Sequence, residues 1–260
     1  MAASSRKTFA VSSGAQSQFQ RTVIYGPGGV GKSELCANLK QVGIRPLFLD
    51  VGSGTGFLDV ERIAGLESWQ DLRAVLHDQS IWNGYSAVVI DDLTKGEELA
   101  TRWTLENVPH EKGHLVQSIE GYGFGKGLTH VFETFLQLLG DLDAHIRAGR
   151  QVICIAHECT ANVPNPNGPD WIRYEPRLQS PASGKTSIRY RVKEWCDHLL
   201  FVGYDTFVST DGKAQGAGTR TIYPVELPTH MAKSRCLAEP IPYERGSAEI
   251  WKQLGIGAKV

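Results

Sequence analysis

The chain has 260 residues and a formal net charge of −1 at pH 7. That length accommodates one α/β domain with a full core, and the hydrophobic fraction of 41% and charged fraction of 21% are typical of a globular protein. The near-neutral charge excludes a chain that is basic overall, so a nucleic-acid-binding groove must be argued from the position of its residues.

The first residues of the chain and its cysteines indicate the cellular compartment of the protein. Residues 1–20 are rich in Ser, Ala and Gln and contain no apolar segment of the kind found in signal peptides, so we expect a mobile tail. No apolar run approaches the roughly 18 residues of a membrane span. The five cysteines are scattered and form no CxxC pair, which predicts reduced thiols. We therefore expect a cytoplasmic protein with no membrane partner.

Apolar runs and helical patterns alternate along the first part of the chain. The apolar runs are short, as in strands that are buried on both faces of a parallel sheet. This alternation predicts a mostly parallel sheet with helices on both faces, whose ligands bind at the carboxyl ends of the strands. The predicted strands are Arg21–Tyr25, Pro46–Asp50, Ala87–Asp91 and Gln151–Ala156, and the predicted helices are Lys32–Gln41, Trp69–Asp78, Leu93–Asn107 and Leu128–Arg147.

Two long stretches, Val108–Gly127 and Glu158–Thr186, are predicted to be irregular. Loops of that length are usually functional or disordered. A strand-like second half follows, at Cys196–Tyr204, Thr219–Glu226 and His230–Ser234. The predicted organisation is a flexible tail over 1–20, one folded core over 21–236, and a C-terminal extension over 237–260 with a short helix around Ala248–Leu254.

The stretch "IYGPGGVGKS" at residues 24–33 has the spacing of a phosphate-binding loop between a strand and a helix. Its glycines let the backbone N–H groups point at phosphate oxygens. Lys32 can reach the β- and γ-phosphates, and Ser33 can bind Mg²⁺. The sequence therefore predicts an ATP site with Mg²⁺, formed by Gly26, Pro27, Gly28, Gly29, Val30, Gly31, Lys32, Ser33 and Glu34.

The run "AVVIDD" at residues 87–92 is the matching acidic strand end. We expect Asp91 to hold the Mg²⁺ shell through water, together with Ser33, and a cap on the helix that begins at Leu93 would be compatible with that role. Two alternatives remain open for Asp92. It either orients the attacking water in catalysis or caps the helix.

Hydrolysis needs a polar group that positions water. Asp50, at the end of the second predicted strand, is one candidate and Glu67 is a weaker one, whereas Glu34 is expected to be structural. His157 ends the fourth predicted strand. It is either a catalytic-site residue that contacts the γ-phosphate and reports its presence to the following loop, or a packed histidine.

Four pieces, "GPGGVGKS", "FLDVGSG", "SAVVIDDLT" and "VICIAHE", resemble RecA-like ATPases in their order and spacing. More specifically, the sequence is similar to the phage-encoded single-domain RecA-like family that includes single-strand annealing proteins. The resemblance covers about Arg21–Arg235 and implies a RecA-like core with a C-terminal β extension. It also implies assembly into a ring or filament with ATP between subunits, and it places His157 at the γ-phosphate sensor, where RecA has a glutamine.

The same resemblance implies that the loop after His157 contacts single-stranded DNA. Cations with interleaved aromatic residues suit such a strand, because phosphates meet the charges and bases stack on the rings. An ordinary proline-rich surface loop is the alternative. A second DNA-facing segment is expected at Val108–Gly127. The expected DNA-binding residues are Lys126, Trp171, Arg173, Tyr174, Arg177 and Lys185.

The pattern "HMAKSR" at residues 230–235 resembles the pair of cations that reaches the γ-phosphate of a neighbouring subunit in RecA-like assemblies. Lys233 and Arg235 have the spacing that puts both side chains on one face of a strand. A cation supplied by a neighbour neutralises charge that develops in phosphoryl transfer. The alternative is a solvated basic strand edge.

Some positions depart from the resemblance. Trp69 or Gln70 stands where RecA has its catalytic glutamate, and Gly52 stands where phage relatives carry an acidic residue. We therefore expect slow, DNA-stimulated hydrolysis, and the alternative is that Asp92 or Glu67 takes the place of the missing carboxylate.

The leading hypothesis is an ATP-dependent recombinase or single-strand annealing protein that binds single-stranded DNA and works as an oligomer. A single-strand-binding protein is the expected partner. The main alternative is a RecA-like replication ATPase or helicase loader that acts on a protein. A small-molecule kinase is a third class, disfavoured because the sequence has no arginine-rich lid near the phosphate loop. Ring or filament geometry stays open.

Overall fold

A computed structural model describes residues 11, 13–14, 19–208 and 214–257. The predicted tail over 1–20 and the last three residues of the C-terminal extension lie almost wholly outside these ranges. The described strands are β1 (Arg21–Tyr25), β2 (Pro46–Asp50), β3 (Arg62–Ile63), β4 (Ala87–Asp91), β5 (Gln151–Ala156), β6 (Glu158–Val163), β7 (Trp171–Pro176), β8 (His198–Val208), β9 (Ala214–Tyr223) and β10 (Ile241–Pro242). The helices are α1 (Lys32–Ala37), α2 (Trp69–His77), α3 (Leu93–Asn107), α4 (Lys126–Arg147), α5 (Ile188–Trp195) and α6 (Glu249–Gln253), with 3-10 helices at Asn38–Val42 and Ile119–Tyr122.

One large sheet organises the described part of the chain, in the strand order β10-β9-β8-β1-β5-β4-β2-β3. The strands from β8 to β3 run parallel, and β9 and β10 are added antiparallel. Buried residues on the two faces form two separate clusters, one packed with α2 to α5 and the other with α1 and α6. The predicted α/β fold with helices on both faces is therefore confirmed, including the β extension.

The four predicted parallel strands form with the predicted bounds. Their residues are almost all buried, because helices cover both faces, and this explains why they read as continuous apolar runs. The strand order places β5 between the phosphate-loop strand β1 and the acidic strand β4. The carboxyl ends of these three strands consequently meet at one edge of the sheet.

The prediction of an irregular loop over Glu158–Thr186 is wrong for residues 158–163 and 171–176, and it holds for residues 164–170 and 177–186. Strands β6 and β7 form an antiparallel hairpin in which Glu158 pairs with Pro176 and Val163 with Trp171. The alternation in β7 is inverted, since Arg173 and Glu175 are buried whereas Ile172 and Tyr174 are exposed. A buried charged face conceals a strand from a search for apolar periodicity. Helix α5, which follows, was also missed.

The prediction of a strand over His230–Ser234 is wrong as well. In this segment His230 and Lys233 form only isolated bridges, to Tyr174 and Leu199 respectively. Strand β9 occupies the place beside β8 from Phe201 onward. Only the first residues of β8 are therefore left to bond the segment.

The C-terminal extension joins the same sheet and core as the rest of the chain. Strand β10 pairs with β9, and Trp251 is fully buried against the phosphate-loop helix. The indole Nε1 of Trp251 donates a hydrogen bond to the Leu35 carbonyl at 2.8 Å. The extension is thus part of the structure that supports the loop before α1.

In the described residues, every helix is too short or too polar to span a lipid bilayer. The 22-residue helix α4 is amphipathic, with one face in the core and charged residues on the other.

Replacing Trp251 by alanine is expected to lower the free energy of unfolding by about 3–5 kcal/mol, because it removes a fully buried aromatic side chain. Chemical denaturation followed by circular dichroism measures this change. The exposed neighbour Lys252 supplies the control, since Lys252→Ala should stay within about 0.5 kcal/mol of wild type. A loss below about 1 kcal/mol for Trp251→Ala would contradict an extension that unfolds with the core.

Candidate functional site

Two glycines let the phosphate loop turn between β1 and α1. A Cβ at Gly26 would lie 2.0 Å from the Val202 carbonyl oxygen, so no side chain fits there. Gly31 has φ of 100°, which L-residues rarely adopt, and a Cβ there would lie 2.9 Å from the hydroxyl of Tyr243. The Tyr243 hydroxyl donates to the Gly31 carbonyl at 2.9 Å. The C-terminal extension therefore holds the loop in place.

Lys32 is buried inside this loop. Its Nζ donates to the carbonyl oxygens of Gly26 at 2.6 Å and Pro27 at 2.9 Å. Burial lowers the pKa of Lys32, and the nearby carboxylates of Glu158 and Asp91 oppose that shift. An ammonium group that is desolvated and bonded only to neutral carbonyls is well suited to bind a phosphate anion.

Ser33, in the first turn of α1, and Asp91, at the end of β4, converge on the same point. The Ser33 hydroxyl donates to Asp91 Oδ2 at 2.6 Å. Burial raises the pKa of Asp91 to about 6, and the charges of Asp92 and Asp50 add to the shift. This crowding of buried carboxylates, beside a hydroxyl that can coordinate, fits a divalent cation.

Mg²⁺ would be held by Ser33 and, through water, by Asp91, and it would neutralise phosphate charge. Within the described ranges, no group of three or more His, Cys, Asp or Glu side chains is placed to hold a metal. A magnesium ion that keeps several waters and binds nucleotide phosphates does not require such a cluster.

Asp92 caps α3 and also faces the cleft. Its Oδ1 accepts a hydrogen bond from the Lys95 N–H at 2.7 Å, so the residue that caps the helix is Asp92 and not Asp91. Its Oδ2 lies 3.3 Å from His157 Nε2. The His157 ring is about 41% exposed and is therefore not a packed core histidine. The His157 N–H donates to the Thr94 hydroxyl, which ties the end of β5 to α3.

These groups line one cleft of about 380 Å³, which we call the phosphate cleft. Of the predicted nucleotide-binding residues, Gly26 and Pro27 hold Lys32 from behind and Val30 is buried in the core. The lining residues are Gly28, Gly29, Gly31, Lys32, Ser33, Glu34, Gly52, Gly54, Phe57, Leu58, Asp91, Asp92, Ile155, His157 and Arg245.

Sequence reasoning missed Phe57 and Arg245 in this cleft. Arg245 forms an ion pair with Glu34 at 2.7 Å across more than two hundred residues of sequence, and Phe57 is fully exposed. No local pattern signals either residue, because both reach the cleft through tertiary packing. Glu34 is engaged in this ion pair, as its structural role implied.

The other carboxylates considered for catalysis lie outside the phosphate cleft. Asp50 accepts hydrogen bonds from the Gly54 N–H at 3.0 Å and from the Thr55 hydroxyl at 2.5 Å, so it shapes the loop after β2. Glu67 lines a separate cavity beside Asp50. Asp92 is accordingly the carboxylate of the cleft that sits closest to His157.

Arg173, which the sequence predicts to bind DNA, is buried in this structure. Its side chain is 7% exposed and forms ion pairs with Glu175 at 2.7 Å and Glu226 at 2.5 Å. Arg189 also pairs with Glu175, and Lys193 pairs with Glu226. A buried cation held by two carboxylates is not free to meet a phosphate.

The remaining residues predicted to bind DNA lie at or near the surface. Arg177 and Lys185 are exposed, Tyr174 is 45% exposed, and Trp171 is half-buried. Lys126 forms an exposed ion pair with Glu111. Their role in DNA binding stays a prediction.

Lys233 and Arg235 lie away from the phosphate cleft of their own chain. Lys233 Nζ donates to three carbonyls at the end of α5, those of Lys193, Glu194 and Cys196, at 2.7–3.2 Å. Arg235 pairs with Asp197 at 2.8 Å and is 65% exposed. A role for either cation at a neighbour's phosphate stays a prediction, for which Arg235 is the more accessible.

The fold and the site together define a P-loop ATPase. The chain belongs to the AAA domain family, whose model matches residues 18–236. Among solved structures it is similar to a KaiC-like protein from the hyperthermophilic archaeon Pyrococcus horikoshii, with 11% identity, a TM-score of 0.44, and coverage of 86% of this chain and 85% of that chain. A comparison with curated proteins found no match.

A groove between α3 and residues 177–179 includes Thr94, the residue that bonds the His157 N–H of the phosphate cleft. Both carboxylate oxygens of Glu97 accept the Gln179 N–H there, at 2.9–3.0 Å, and the groove has a volume of about 610 Å³. Burial raises the pKa of Glu97 to about 7. In the unfolded chain the pKa of this carboxyl has its ordinary value of 4.5. Between pH 4.5 and about pH 7, Glu97 is therefore protonated in the folded protein and ionised in the unfolded chain.

This shift predicts a pH dependence of stability. The contribution of Glu97 is complete below pH 4.5 and is lost as the pH rises through about 7. Between about pH 5 and about pH 8, the free energy of unfolding of wild type should therefore fall by about 2–3 kcal/mol more than that of Glu97→Gln. Urea denaturation across this pH range measures both proteins, and parallel profiles would contradict the prediction.

Proposed function

We propose that this ATPase binds single-stranded DNA in a nucleotide-dependent way, as a recombinase or single-strand annealing protein that works as an oligomer. One observation carries the proposal: His157 joins the phosphate cleft to both strands of the β6–β7 hairpin. It precedes β6 directly, and its carbonyl accepts the N–H of Arg177, just after β7, at 2.8 Å. A displacement of His157 therefore acts on both ends of the hairpin.

The surface at the base of this hairpin has the composition that suits a flexible polyanion. Arg177 and Lys185 offer exposed cations, and Tyr174 offers an exposed ring. Phosphates would meet the cations while bases stack on aromatic side chains. The buried ion pair between Arg173 and Glu226 supports the proposal indirectly, because it anchors the middle of β7 to the body of the protein while the ends of the hairpin meet His157.

In the proposed cycle, the γ-phosphate of ATP binds the Lys32 ammonium group and an N–H of the His157 ring. His157 then shifts relative to Asp92, and the hairpin takes up its DNA-binding position. Hydrolysis reverses this change and releases the strand. Arg235 of an adjacent copy is proposed to reach the nucleotide, so that ATP also joins the subunits.

Single-stranded DNA binding is tested by fluorescence anisotropy, with and without an ATP analogue, at two salt concentrations. We expect nucleotide-dependent binding that weakens with salt and that Lys32→Ala abolishes. Arg177→Ala/Lys185→Ala should weaken binding roughly tenfold and lower the slope of log affinity against log salt by about two.

The matched control is Arg147→Ala/Lys252→Ala, which also removes two exposed cations but leaves the hairpin intact. It should bind DNA as wild type does. If wild type hydrolyses ATP without binding DNA under any condition, the proposal fails, and an ATPase that acts on a protein partner replaces it.

The coupling role of His157 has its own test. His157→Ala should retain binding of a fluorescent ATP analogue but lose the change in DNA affinity on nucleotide addition. His157→Gln should keep much of that change, because its amide can donate to Asp92 and accept as well. A full nucleotide response in His157→Ala would show that the signal takes another route.

A further inference from the structure

A second cavity, of about 540 Å³, opens beside the phosphate cleft, and we call it the aromatic pocket. It lies where the β6–β7 hairpin meets β8, β9 and the segment before Lys233. Four tyrosine and phenylalanine rings and one imidazole line it, together with two carboxylates. The lining residues on which the argument rests are Tyr174, Phe201, Tyr204, Tyr223, His230 and Glu158.

The rings form a platform that is fixed at its base. Phe201 is buried, with its ring stacked on Tyr174 at 5.3 Å between centroids and on His230 at 5.1 Å. Tyr223 packs against His230 at 4.6 Å. Tyr174 and Tyr204 are 45% and 40% exposed and stand at the mouth. The pocket thus combines rigid walls with two accessible aromatic rings.

We propose that the aromatic pocket receives one unpaired nucleobase of the bound strand, stacked on Tyr174. This inference rests on the proposed function. It adds a subsite that contacts a base of the strand and not its phosphates. Aromatic faces accept any base, since each base has a π-face. Such a subsite would explain how a chain with a net charge of −1 binds single-stranded DNA, because base stacking would add to the affinity that a few cations provide.

The charges of the pocket favour a base over a phosphate. Glu158 and Asp205 line it, and carboxylate oxygens repel phosphate while they accept hydrogen bonds from exocyclic amino groups. The Arg220 guanidinium lies 5.5 Å from the centre of the Tyr204 ring, so a cation stands beside the mouth. The base would enter, and the sugar–phosphate backbone would stay outside near Arg220.

The aromatic pocket also touches the nucleotide site. Pro27 of the phosphate loop lines its wall, and the Glu158 carboxylate, which also lines the pocket, opposes the lowering of the Lys32 pKa by burial. Tyr174 is held by its backbone, since its N–H donates to Thr229 and its carbonyl accepts from Met231, both at 2.9 Å. Removal of the Tyr174 side chain consequently leaves this framework bonded.

The test compares two oligonucleotides of equal length, one with normal bases and one made of abasic nucleotides, by anisotropy with an ATP analogue present. Wild type should prefer the base-bearing strand by roughly tenfold or more. Tyr174→Ala should lose most of this preference with little change in abasic binding. Tyr174→Phe, which keeps the ring, should retain it.

Tyr190→Ala provides the matched control, because Tyr190 is a similarly exposed tyrosine on α5 that lies outside the pocket. It should keep the wild-type preference. Equal binding of both strands by wild type, or an equal loss for both strands in Tyr174→Ala, would overturn the base subsite while DNA binding itself survives. If wild type binds neither strand, the proposed function fails together with this inference.

Discussion

The hydrogen bond between Ser33 and Asp91 joins the first turn of helix α1, which follows strand β1, to the carboxyl end of strand β4, although β1 and β4 are not neighbours in the sheet. Strand β5 separates the phosphate-loop strand from the acidic strand, yet the hydroxyl and the carboxylate meet at 2.6 Å. This contact requires all three parallel strands to end at one edge. It thereby places His157, the residue after β5, between the two halves of the phosphate cleft. Every further feature of the site builds on that arrangement.

One residue, His157, connects this edge of the sheet to helix α3 and to the β6–β7 hairpin. His157 faces Asp92 with its ring and bonds Thr94 and Arg177 with its backbone. A single position thus contacts the acidic strand end, helix α3 and the hairpin. Small changes at a nucleotide are amplified when packed elements have two discrete arrangements. The proposed functions of the hairpin and of the aromatic pocket both depend on this connection.

The buried charges of β7 show why part of the fold was hidden from sequence analysis. Arg173 and Glu175 face inward and are neutralised by Glu226 and Arg189, which come from other parts of the chain. Removal of one partner from such a network costs several kcal/mol, because an uncompensated charge stays buried. A stretch that reads as a charged surface loop is therefore an ordered strand. The partners that make its burial tolerable are distant in sequence.

By itself, the sequence determined the parallel strands and the phosphate loop, because each depends on local signals: continuous apolar runs and a fixed glycine–lysine–serine spacing. It also placed Asp91 and His157 at strand ends. Only the tertiary structure decided that Tyr243 holds the phosphate loop, that Arg245 lines the cleft and that Lys233 bonds the end of α5. These contacts join segments far apart in the chain, and long-range packing leaves no periodicity in sequence.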